Sequence, residues 1–199
     1  MIFSLCILAV VLSSTWVLVP IAPRWATAGA EALVLGFAAW RAFRTGEWGI
    51  TRSAFLPALG WSASLTGAGA LGIYLAASRL RTWHDRGDVW TNLAVLIPWG
   101  LGQQFALQTV FLRETQATVS RPGGIWLAAL MFAILHLPNP FLTAMTGVGA
   151  LAWCWIYDRY PNLLPLALSH ALLTVAILYA FDDAITGRLR VGLAYLDLR

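Results

Sequence analysis

The stretch "LIPWGLGQQFALQTVFL", residues 96–112, decides how the whole chain is read. It is apolar enough to lie inside a bilayer, yet it carries Gln103, Gln104 and Gln108, with no charge before Arg113. Composition agrees on the solvent. With 59% hydrophobic and 11% charged residues and a mean hydropathy of +0.71, the 199 residues are too apolar for an ordinary soluble domain. A helix needs about 20 mostly apolar residues to cross roughly 30 Å of hydrocarbon. Seven candidate runs lie between clusters of Arg, Pro and Asp: residues 2–19, 27–43, 54–78, 89–112, 124–137, 140–158 and 162–181. They are long and continuous rather than short and alternating, which argues against a β-barrel. The expected fold is all-α: a polytopic membrane helix bundle of about seven transmembrane helices, forming a single domain over residues 1–199. The fifth run is short for a full span and needs tilt or a covering partner.

The first run is apolar like a secretory signal peptide, but it lacks a positive n-region and is read as a retained helix. Cys6 and Cys154 fall in apolar runs, where a free thiol behaves as a small hydrophobe, so neither a disulfide nor a metal pair is expected. All 13 basic residues are Arg, scattered through the connections. The formal net charge of +4 therefore forms no basic patch, and nucleic acid is not an expected partner. Taking alternate connections, Arg41, Arg44, Arg52, Arg113, Arg121 and Arg159 fall on one side, and Arg24, Arg79, Arg81, Arg86, Arg188, Arg190 and Arg199 on the other. That near balance leaves the orientation open. The connection "RAFRTGEWGITRSAF" (41–55) mixes Arg with Trp48 and Phe55, as expected at headgroup level. In the third run Ser64, Ala68, Gly72 and Ala76 recur every four residues, which predicts a small-residue packing face. The charged stretch from Asp182 onward is too polar to span and is expected to lie on the membrane surface.

Polar groups inside a span are costly and by default candidates for function. Besides the glutamines they are chiefly Glu31, His136, His170 and Thr174. At 1.5 Å per residue, counted from the face where the fourth run ends, Gln103 lies roughly 14 Å deep, His136 roughly 18 Å and His170 roughly 12 Å. Three separate helices bring polar groups to similar depth. Taken singly, a membrane His or Gln is more often interhelical glue than a site; the convergence favours function. Zinc is a poor candidate, because two histidines without a nearby Cys, Asp or Glu leave a tetrahedral ion short of ligands, and His84 lies in a charged connection. No metal and no cofactor is expected.

At these positions the chain resembles the CAAX-type intramembrane endopeptidases, the CAAX protease and bacteriocin-processing family. The family pattern is EExxxR, then FxxxH, then HxxxN. Here "QQFALQ" (103–108), "FAILH" (132–136) and "HALLT" (170–174) follow in that order, with "VFL", "HLPNP" and "PLALSHA" around them, so that the resemblance covers residues 88–180. It implies an integral membrane protein of the bacterial inner (cytoplasmic) membrane, with membrane lipids and a peptide or lipidated peptide as partners. It also implies a peptide-hydrolysing site built from Gln103, Gln104, His136 and His170, supported by Gln108, Phe132 and Thr174. In the family the glutamates and the second-motif His activate water, while the His and Asn of the third motif stabilise the oxyanion.

The departures matter as much as the match. Gln103 and Gln104 stand at the glutamate positions, Gln108 at the arginine position and Thr174 at the asparagine position, while Phe132, His136 and His170 are unchanged. Glutamine hydrogen-bonds but takes up no proton at physiological pH. Replacing glutamate and arginine together leaves no unpaired ion in a low-dielectric site, so "QQFALQ" reads as a neutral rewrite of a charged site. One expectation is an endopeptidase with His136 as base, Gln103 or Gln104 orienting water, and His170 with Thr174 facing the oxyanion. The alternative is a non-catalytic, peptidase-like membrane protein that binds membrane segments or lipidated peptides. A polar pathway through the bundle is less favoured, because the polar groups gather at one level. Glu31 lies near the opposite face, roughly 6 Å below it, and is expected to snorkel outward rather than replace the base.

Overall fold

The computed structural model describes residues 1–19 and 23–197. Among them, α1 (Ile2–Ser13) is prolonged by a π-helical turn to Leu18, and α2 (Pro23–Thr45) and α3 (Phe55–Leu80) follow. Next, α4 (Val89–Ala106) runs on through a π-helical segment (Leu107–Leu112) into α5 (Arg113–Thr118). The chain continues as α6 (Arg121–Ile134), α7 (Pro140–Arg159) and α8 (Leu163–Ala180), and then as the short α9 (Asp183–Thr186) and α10 (Leu193–Leu196). The all-helical expectation holds among the described residues, where the one β-type contact is an isolated bridge between Ile50 and Asn162. Each of the seven apolar runs is helical over most of its length. Two of them, α7 and α8, are long and apolar enough to cross a membrane by themselves; α6, and α1 with its π-helical turn, are apolar but shorter.

Local chemistry explains where the helices begin. Asp88, Ser120, Asn139 and Asn162 each turn a side-chain oxygen back onto the first turn of α4, α6, α7 and α8, to the amides of Thr91, Gly123, Leu142 and Leu164. Each satisfies a donor that the helix leaves unpaired. Pro122 and Pro140 sit within first turns, where a missing N–H is harmless.

Packing then sets the rotation of each helix. The most extensive contact is α4 on α8, followed by α3 on α8 and α6 on α7. Gly100 lets α4 approach closely, since a Cβ there would stand 3.1 Å from the Ala167 carbonyl and 3.6 Å from Cβ of His170. Gly124 does the same where α6 folds back on α5: a Cβ would meet the Gln116 amide nitrogen at 2.6 Å, and Thr115 donates to the Gly124 carbonyl at 2.8 Å.

The small-residue stripe of α3 is corrected at three of its four positions, while Ala76 packs beside Ala77, Ala180 and Phe181 as expected. Ser64, Ala68 and Gly72 face outward, and a Cβ on Gly72 would meet nothing within 4 Å. The packed face is a different one, carrying Ala58, Ser62 and Ala77, with Gly69 against Leu173 of α8.

Two connections pin the bundle. Gly49, at φ +76 and too close to Leu163 for a side chain, lets residues 49–51 lie against the start of α8, where Asn162 donates to the Thr51 carbonyl at 3.1 Å. At the other end, fully buried Asn139 donates to the carbonyls of Thr186 and Arg190 at 2.8 and 3.0 Å, folding the C-terminal stretch onto the α6–α7 turn.

Candidate active site

The site begins where α4 changes its winding. From Leu107 to Leu112 the helix adopts i→i+5 pairing, and all six of these side chains are buried; such π-helical turns often mark functional positions. Gln104 lies one turn before Gln108, and both are fully buried. Gln108 Nε2 donates to Gln104 Oε1 at 2.9 Å, and Gln104 turns its own Nε2 to Nδ1 of His170, 3.4 Å away on α8. Gln108 also meets the Cys154 thiol, while its Oε1 is buried without a partner.

Aromatic rings pack against both histidines. Trp153 of α7 stacks on the His170 ring at 4.6 Å and 23°. Phe132 of α6 meets His170 edge-on at 6.4 Å and His136 at 5.0 Å. The stack is itself held in place. Trp153 Nε1 donates to Ser169 Oγ at 3.2 Å, and Thr66 of α3 donates to the same oxygen at 2.8 Å.

Hydrogen bonding assigns the two imidazoles opposite tautomers. His136 Nδ1 lies 2.8 Å from the Phe132 carbonyl oxygen, which can only accept, so Nδ1 carries the hydrogen and Nε2 keeps its lone pair. At His170, Nδ1 faces Nε2 of Gln104 at 3.4 Å, and with the amide in this orientation it donates to Nδ1 and the hydrogen sits on Nε2. One ring offers a base and the other a donor.

The remaining residues singled out in the sequence lie differently. Gln103 is half-buried and bonded to none of these groups. The Thr174 hydroxyl donates to the His170 carbonyl at 2.9 Å, within its own helix. Glu31 is half-buried on α2, and among the described residues no carboxylate is hydrogen-bonded or ion-paired to His136 or His170. Sequence reasoning missed Trp153, Ser169, Thr66 and Cys154. The available signal was a polar atom inside an apolar run, and it is weak because a helical Ser or Thr can bond its own backbone. The cluster is closed, with Gln104 and Gln108 at 0% exposure and His170 at 8%.

Residues 85–176 match the family model of the type II CAAX prenyl endopeptidase, Rce1-like. This segment contains the amide chain, both histidines and the rings around them. The matched segment is thus similar to an Rce1-like domain over just under half of the chain. It runs from the capped start of α4 into α8, with α1, α2 and α3 preceding it. The Rce1-like family is one of integral membrane endopeptidases. No curated protein and no solved structure matches the chain.

Proposed function

We propose that this protein is a membrane-embedded, CAAX-type endopeptidase that hydrolyses membrane-associated peptides with a histidine pair, glutamine standing where the family has glutamate. The observation that carries the proposal is the opposite tautomers of His136 and His170. Neutral His136 takes a proton from water at Nε2 as the water oxygen bonds to the peptide carbonyl carbon. The tetrahedral oxyanion receives the Nε2–H of His170. As the C–N bond breaks, His136 returns its proton to the leaving amine. Gln104 and Gln108 act here as positioning residues, because Gln104 has both ends of its amide engaged. Gln103 is the glutamine left to orient water.

The embedding rests on the outward surface. Large apolar side chains such as Phe43, Leu56, Trp90 and Trp126 are 67–74% exposed, which in water would be an aggregation liability and in lipid is favourable. On this reading the seven helical runs are seven spans of the bacterial inner membrane. Residues 88–180 form the motif region of one domain, and the partners are membrane lipids and a peptide or lipidated peptide.

A second reading is a non-catalytic protein that holds a membrane segment or lipidated peptide; the uncharged, closed amide chain favours it. One experiment separates the two. Purified protein in liposomes is given membrane-anchored and prenylated peptides from pH 5 to 9, and products are read by mass. A peptidase cleaves more as pH rises through the titration of His136 and then levels off, since only the neutral ring accepts a proton. His136→Ala abolishes turnover, and His170→Ala lowers it about 10²–10³-fold. Cleavage surviving His136→Ala overturns the base. Saturable binding without cleavage, weakened by both substitutions, establishes the binder.

A further inference from the structure

A cleft of about 720 Å³ opens away from the histidines, between α6 and α7, at the end where α6 begins and α7 finishes. Its lining is graded along the helices. Arg121, Asp158 and Arg159 stand at the mouth, Trp126 and Trp155 about one turn further in, and Ile125 and Leu151 form its apolar part. From Arg159 to Leu151 is eight residues, roughly 12 Å of helix, so charge, aromatic ring and aliphatic side chain succeed one another over about the depth of a headgroup and the first acyl carbons.

The charges are not equivalent. Asp158 is engaged by Arg121, whose Nε lies 2.9 Å from both carboxylate oxygens, and by Gln116 at 2.8 Å. Arg159 is fixed in another way. Its guanidinium lies 3.9 Å over the Trp155 ring, and its Nη1 donates to the Trp155 carbonyl at 3.2 Å. Among the described residues no carboxylate pairs with it. The cleft therefore presents an oriented cation whose other N–H groups are free, above an apolar groove. A planar guanidinium held in this way suits a phosphate oxygen. A choline headgroup fits poorly, because Arg159 already occupies the Trp155 face and Asp158 is already neutralised.

We infer that the α6–α7 cleft binds one anionic glycerophospholipid, with its phosphate on Arg159 and an acyl chain along Trp126, Ile125 and Leu151. The inference rests on the bundle being embedded in lipid and is independent of the peptidase chemistry, so loss of cleavage does not touch it.

The test is native mass spectrometry of the purified protein, equilibrated in mixed micelles with equal amounts of phosphatidylglycerol and phosphatidylcholine of identical chains. The wild type is expected to retain phosphatidylglycerol about fivefold over phosphatidylcholine, the amount typical of one basic residue at an anionic surface. Arg159→Gln should bring that ratio near one. Arg44→Gln, which removes the same charge from another helix, should leave it unchanged. Ile125→Trp, which fills the groove and spares the arginine, should lower retention of phosphatidylglycerol, so the site stays testable if Arg159→Gln folds poorly. An equal ratio in the wild type overturns the inference. So does a loss of preference in Arg44→Gln as large as in Arg159→Gln, since bulk charge would then be the cause. Displacement of the lipid by millimolar glycerol 3-phosphate would assign the cleft to a soluble phosphate instead.

Discussion

Gln104 Nε2 lies 3.4 Å from Nδ1 of His170, so that an amide of α4 and an imidazole of α8, 66 positions apart, form a buried pair with no formal charge. Where the family motif has a carboxylate and a guanidinium, this chain has Gln104 bonded to Gln108. An ion pair in a low-dielectric interior demands both of its charges, because one left alone costs several kcal/mol. Changing both together avoids that state, and the amide chain still dictates which nitrogen of His170 carries a hydrogen.

That dictation is measurable. With three histidines in the chain, ¹⁵N-labelled protein and single His→Ala variants suffice to assign each ring. His136 is expected as the Nδ1–H tautomer and His170 as the Nε2–H tautomer. In Gln104→Leu the bias at His170 should vanish while that at His136 stays. Identical tautomers in the wild type would contradict the geometry.

Gln104→Glu should destabilise the protein more than Gln103→Glu, because residue 104 is fully buried and residue 103 only half-buried. The expected loss at pH 8 is about 3 kcal/mol or more for the buried position, read as thermal or denaturant unfolding in detergent. Adding Gln103→Glu and Gln108→Arg restores the family's charge pattern and should recover part of the loss. Equal stability of Gln104→Glu and wild type would show that water reaches the amide chain.

Glu114 makes a separate, pH-dependent contribution at the far end of α1. Burial pushes its carboxyl up, but the hydroxyl and amide of Ser4, the N-terminal ammonium and the Phe3 amide together hold it below the ordinary 4.5. Ser4 donates to it at 2.7 and 2.8 Å. A depressed carboxyl contributes stability that is fully present above its unfolded value and is lost as pH falls through the folded one. The unfolding temperature of the wild type should therefore drop more steeply than that of Glu114→Gln as pH is taken below 4.5. Parallel profiles for the two proteins would remove Glu114 from the acid response.

Gly124→Ala tests the α5–α6 turn. The new methyl group would meet the backbone of Gln116 at 2.6 to 2.7 Å, and backbone cannot swing aside as a side chain can. A loss of about 1–3 kcal/mol is expected, as for other overpacked contacts. Gly72→Ala, with nothing within 4 Å, should be neutral or slightly stabilising in the same assay.

The sequence by itself determined which segments are helical and which family the second half resembles. Those properties are local: apolar runs of sufficient length and motif residues at set spacings. It did not determine which way each helix faces. The α3 stripe failed at three of its four positions for that reason, since lipid is as apolar as the bundle interior and small residues can point either way at little cost. Tertiary packing settled the choice, seating Leu173 of α8 against Gly69. In the same way the packing of α4 on α8 turns Gln104 rather than Gln103 toward His170, and α7 brings Trp153 from a third helix onto its ring. Spacing along a chain sets depth, but the angle about a helix axis follows from the neighbours it packs against.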